Sequence, residues 1–184
     1  MKVEAASHTQ TVTATFVKGV CPICGILKQY QAELIESLSP EYACDPCNFH
    51  CWTLANSAVG SIAASIYRRL LSEDHQDNGC KLCAQIREEE ETRVQQLARE
   101  LQEGLGIDWM SHYGTLCVVH ANALKNHVAL RLRPVIDEIV DRNMNELKQQ
   151  LQDYSTAAEH GTGSGGGVLG RAAGFLVGYR GLSS

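Results

Sequence analysis

Cysteine and histidine recur along this chain at spacings that suit metal ligation. Cys21-x-x-Cys24 and Cys80-x-x-Cys83 are C-x-x-C pairs, and Cys47-x-x-His50 and Cys117-x-x-His120 are C-x-x-H pairs. Either spacing lets two donors converge on one ion from a single turn of backbone. Three thiolates and one imidazole complete a tetrahedron around Zn²⁺ and leave no position open for water or substrate. At a helix start, free backbone N–H groups and the helix dipole favour the thiolate form. The segment "ACDPCNFHCW", residues 43–52, admits a second frame, because Cys44-x-x-Cys47 is also a C-x-x-C pair.

An internal repeat separates the two frames. "VCPICGILKQ" corresponds to "GCKLCAQIRE", and "CNFHCWTLAN" corresponds to "CVVHANALKN". Cys47 and His50 then fall on Cys117 and His120, Leu54 on Leu124, and Asn56 on Asn126, whereas Cys44 and Cys51 have no counterparts. A duplicated unit is the economical explanation. The expected ligand sets are Cys21, Cys24, Cys47 and His50 in the first half, and Cys80, Cys83, Cys117 and His120 in the second. Each set is expected to hold one Zn²⁺, two per chain. A structural zinc site contributes roughly 10–16 kcal/mol of apparent binding energy near neutral pH, comparable to the stability of a whole domain.

Iron is the main rival. "CPICG" has the form of a rubredoxin-type knuckle, and Cys44 with Cys47 supplies a second one, giving a redox-active site of Cys21, Cys24, Cys44 and Cys47. Asn48 stands where that second knuckle calls for glycine, and the other half has no such arrangement. An iron–sulfur cluster is also compatible with three cysteines and a histidine. Disulfide or redox-switch chemistry is a further use. Cys51 reads as a small apolar residue, and with Cys44 it forms the alternative of a thiol pair beside the metal. His112 and His127 lie at unrepeated positions and read as ordinary polar side chains.

The positioning elements follow from composition and periodicity. The chain has 184 residues, 44% hydrophobic and 20% charged, as expected of a globular protein with a real core. Its net charge of −5 argues against a general nucleic-acid binder. The N-terminal "MKVEAASHTQ" has no apolar core of a secretory signal, and no stretch reaches spanning length. A cytoplasmic location is therefore expected, where clustered thiols serve metals more often than disulfides.

Residues 1–20, including "TVTATFV", read as an extended arm. Apolar residues at three- and four-residue steps predict a helix from Cys21 to Pro40, a second over 48–71 and a third from Cys80 toward Gly104. The charge run "REEEETR" reads as a solvent-facing surface. A short helix is expected from His120 to about Leu130, followed by a long one through Leu151. "GTGSGGG" reads as a linker and residues 168–184 as a short closing helix.

The predicted fold is all-α: a helical bundle of two duplicated helix-pair units, residues 21–78 and 79–160, each stapled by its Cys3His site. These motifs resemble those of a bacterial family of small helical proteins with C-P-x-C and C-x-x-H-x-W elements. The matching residues are Cys21, Pro22 and Cys24, then Cys47, His50 and Trp52, with a weaker copy at Cys80, Cys83, Cys117 and His120. The resemblance covers roughly residues 20 to 130 and departs at Pro46 and the extra cysteines; the second half lacks the proline and tryptophan. It implies a metal-bound helical fold with no assigned activity. No Ser-His-Asp set, phosphate loop or paired carboxylates stand out. The expectation is a zinc-binding structural or interaction protein that binds a protein partner or self-associates, with no nucleic acid and no membrane span. An iron or thiol redox protein is the alternative.

Overall fold

The computed structural model describes residues 11–37, 81–160 and 166–181. Six helices run through them: α1 (Pro22–Ser37), α2 (Lys81–Gln102), α3 (Ile107–Tyr113), α4 (Val118–His127), α5 (Arg133–Glu159) and α6 (Gly166–Gly181). No strand occurs among the described residues. The all-α expectation holds. The helix expected over 48–71 lies outside the described residues.

The chain divides into two compact units, one of residues 1–25 and 92–182, the other of 26–91 and 183–184. In the described part of the second unit, Leu27, Gln31, Leu82 and Ile86 are buried. Tyr30 lies among Glu89, Glu88 and Glu33; burial first, then those carboxylates, push its phenol above the ordinary range. The charge run is partly a solvent face, since Arg87, Glu88 and Glu91 are exposed. Arg93 departs from it: the side chain is buried, and Nη1 donates to Gln96 Oε1 at 2.9 Å.

The first unit contains the rest. The segment expected to be extended forms a 3-10 turn instead, Val12–Thr15. Its free N–H groups find a carboxylate from far along the chain: Val12 N–H donates to Glu100 Oε1 at 3.0 Å and Thr13 N–H to Oε2 at 2.8 Å. Alternation of apolar residues could not reveal this, because the partner comes from α2. Phe16 then stacks on Trp109 of α3, ring centroids 4.8 Å apart.

α2 stops where the sequence places its glycine. Gly104, at φ +83°, donates to Leu101 O at 3.1 Å, and Leu105 donates to Glu100 O at 2.8 Å. These two bonds satisfy the helix's last carbonyls in a Schellman motif. Two residues on, Gly106 (φ +71°) starts α3, a helix the periodicity did not reveal because it has only seven residues. A Cβ on Gly106 would lie 2.7 Å from Phe16 Cε2 and 2.9 Å from Thr13 Cγ2, so the arm lies directly against this turn.

α5 packs against α3, α4 and α6, and α4 also packs against α6. Ile136, Ile139 and Asn143 form its buried stripe at helical spacing. The Asn143 amide nitrogen finds no hydrogen-bond partner among the described residues. Arg142 closes the end of α3, donating to Gly114 O at 2.7 Å and to Ser111 O. Three residues beyond Gly114 comes Cys117.

Candidate metal centre

Two helix starts build the site. Cys21 immediately precedes α1, so the C-x-x-C spacing places Cys21 at the N-cap position, Pro22 at N1 and Cys24 at N3. Proline suits N1, where its missing N–H is no loss and its φ is already helical. Gly25 N–H donates to Cys21 O at 3.0 Å, closing the first turn. At α4 the pattern repeats with Cys117 at the N-cap and His120 at N3. The Cys117 sulfur takes the role usually filled by a serine or aspartate oxygen, accepting the His120 backbone N–H at 3.4 Å.

The two pairs converge. Cys21 Sγ, Cys24 Sγ, Cys117 Sγ and one ring nitrogen of His120 lie within 4.8 Å of one another. His120 Nδ1 is 3.1 Å from Cys117 Sγ, 3.3 Å from Cys24 Sγ and 3.5 Å from Cys21 Sγ. Cys24 and Cys117 sulfurs are 3.7 Å apart. A tetrahedral ion with metal–sulfur bonds of ~2.3 Å and a metal–nitrogen bond of ~2.05 Å sets sulfurs ~3.8 Å apart and sulfur–nitrogen edges at ~3.5 Å. The four donors already stand at roughly those edges, so the group can hold a metal ion.

The electrostatics point the same way. Burial opposes ionisation of Cys21, but hydrogen bonds from Cys117, Cys24 and His120, with the charge of His120, outweigh it and hold this thiol well below its ordinary range. Contacts with Cys117 and Cys21, then burial, then the charges of those sulfurs push Cys24 far above. Ionising a second sulfur in so small a volume would set like charges against each other, a conflict that a divalent cation at the centre would remove.

The expected ligand grouping is corrected here. The repeat pairs Cys21 and Cys24 with Cys47 and His50, and Cys117 and His120 with Cys80 and Cys83; the structure instead joins the C-x-x-C of one half to the C-x-x-H of the other. Cys44, Cys47, His50, Cys51 and Cys80 lie outside the described residues. Cys83 is half-buried in the first turn of α2, within the second unit, and is not one of the four. The rubredoxin-like set needs Cys44 and Cys47, which lie outside the described residues; among the described residues Cys21 and Cys24 stand with Cys117 and His120. His112 and His127 are exposed, His112 Nδ1 lying 2.7 Å from the Asp108 carbonyl of its own helix.

Sequence reading missed one neighbour of the site. Gly178 breaks α6 with φ +66° and ψ −170°, and a Cβ there would be 3.5 Å from Cys117 Sγ. That separation is ordinary contact, so space is not the obstacle. The conformation is: side-chain-bearing residues reach it only with strain of about 1–3 kcal/mol. Gly178→Ala is expected to destabilise the protein by that amount in denaturant titration, with no loss of metal stoichiometry. The extra glycine in "VLGRAAGFLVGYRG" was the available signal, but nothing local tied it to Cys117.

The fold and site define an all-α protein with a buried Cys3His cluster able to hold a metal ion. Comparison of the chain with protein-family models, with curated proteins and with solved structures finds no match. No helix among the described residues is long and apolar enough to cross a membrane.

Proposed function

We propose that this is a zinc-binding structural protein whose metal centres stabilise a helical scaffold for protein interaction. The supporting observation is the convergence of Cys21, Cys24, Cys117 and His120, whose donor atoms lie within 4.8 Å. Three sulfurs and a nitrogen fill a tetrahedron and leave no coordination position for a substrate, as in structural zinc sites. A multi-iron cluster needs its terminal ligands on separate irons and therefore farther apart, which favours a single ion. The motif resemblance to small helical bacterial proteins, and the reduced cysteines that a cytoplasmic location would give, accord with this reading.

The repeat supports a second site. Once Cys21 and Cys24 are matched to Cys117 and His120, the remaining repeat ligands are Cys47, His50, Cys80 and Cys83, a set of identical composition. The partner is a protein or a second copy of this chain, in keeping with Leu169, Leu176 and Val177 of α6, which stand 51%, 53% and 43% exposed.

Elemental analysis of protein purified without oxygen tests this. Two equivalents of zinc per chain are expected, with no visible absorption. Cys117→Ser is expected to lower the count to one. A starting count of one would refute the duplicated reading, and a coloured iron–thiolate protein would refute zinc.

A further inference from the structure

The four ligands are unequally protected. Cys21, Cys117 and His120 are 6%, 2% and 2% exposed, whereas Cys24 is half-buried and forms the solvent edge of the cluster. Its sulfur faces that of Cys117 at 3.7 Å. A disulfide bond is ~2.05 Å long, so an approach of about 1.7 Å joins the two.

We propose that Cys24 is an oxidation site for peroxides, and that its oxidation opens the metal centre by forming a Cys24–Cys117 disulfide. The inference rests on the metal-binding reading above. With a metal ion held at the site Cys24 would be deprotonated, and its sulfur attacks one oxygen of the peroxide: a sulfur–oxygen bond forms, the oxygen–oxygen bond breaks and hydroxide leaves. The sulfur loses two electrons and the peroxide gains them. Cys117 thiolate then attacks the Cys24 sulfur, a sulfur–sulfur bond forms, the sulfur–oxygen bond breaks and a second hydroxide leaves. Two thiolates and one hydrogen peroxide thus become one disulfide and two hydroxides. Cys24 and Cys117 are thereby withdrawn as donors, and Cys21 with His120 alone would hold a cation too weakly to keep it.

The geometry also gives the oxidised state a form of its own. Cys24 belongs to the first turn of α1 and Cys117 caps α4. The disulfide therefore joins the same two helix starts that the metal links, and the scaffold stays closed after the ion has gone. Reduction by a dithiol restores both ligands, so the step is reversible.

The test uses the full-length, metal-loaded protein treated with hydrogen peroxide. Metal release is followed with a chromophoric chelator, and each cysteine is assigned by differential alkylation and peptide mapping. The expected result is release accompanied by a Cys24–Cys117 cross-linked peptide, with rebinding after dithiothreitol. Cys24→His keeps a donor at the position and removes the thiol; it should slow release from this centre about ten-fold or more. The proposal is overturned if Cys24 stays reduced while the metal leaves, if Cys24 is recovered in a disulfide with Cys21 or any other cysteine, or if the wild-type centre keeps its metal under peroxide. Metal content before treatment separates the two readings. Protein that binds no metal overturns both, whereas loaded protein inert at Cys24 overturns this one alone.

Discussion

His120→Ala is expected to strip the metal from the Cys21–Cys24–Cys117 centre and to loosen two helix starts at once. The ring nitrogen lies 3.1–3.5 Å from all three sulfurs, so it is the donor that completes the set. A full site supplies roughly 10–16 kcal/mol; losing one ligand should forfeit on the order of 4 kcal/mol, about a thousand-fold in affinity. Competition against a chromophoric chelator measures it. Hydrogen exchange supplies the structural readout. Amides of residues 21–25 and 117–124 should lose protection together, in the variant and in chelated wild type alike, because one ion held by the four donors would link both segments. The middle of α5, held by Ile136 and Ile139, should keep its protection. Unchanged protection at both helix starts would mean the bundle closes without metal. Cys44→Ser should leave this centre's affinity as it is, since the four donors are complete without it.

Glu100→Ala should cost about 3 kcal/mol, although Glu100 is no ligand. Its buried carboxylate accepts Val12 N–H at 3.0 Å and Thr13 N–H at 2.8 Å, and Gln96 Nε2 at 3.0 Å. Alanine strands two backbone donors of the arm that leads to Cys21, one of them on a residue with no exposure at all. Glu100→Gln keeps one acceptor oxygen and should lose less, roughly half, because one backbone donor then faces an amide nitrogen. Urea unfolding of the metal-loaded protein gives both numbers. Equal, small losses in the two variants would show that water replaces the carboxylate and that the arm is not held by it.

Much of this was legible without coordinates because it is local. Pro22 at N1, Cys21 and Cys24 three residues apart, and the same N-cap and N3 spacing in Cys117 and His120 announce two helix starts with donors on one side. Apolar residues at helical steps marked α1, α2 and α5 in the same way, each from its own few turns. The composition of the donor set, three sulfurs and one imidazole, was also readable, because the repeat excludes Cys44 and Cys51.

The partnership was not readable. Joining the two halves within themselves or across them yields Cys3His either way, so no residue type or spacing distinguishes the choices. Only the packing of α4 and its neighbours brings His120 and Cys117 to Cys21 and Cys24. The same holds for Glu100 reaching Val12 and for Gly178 lying against Cys117. Short-range patterns write the helices and their caps into the sequence; contacts between residues far apart along the chain exist only once the bundle has closed.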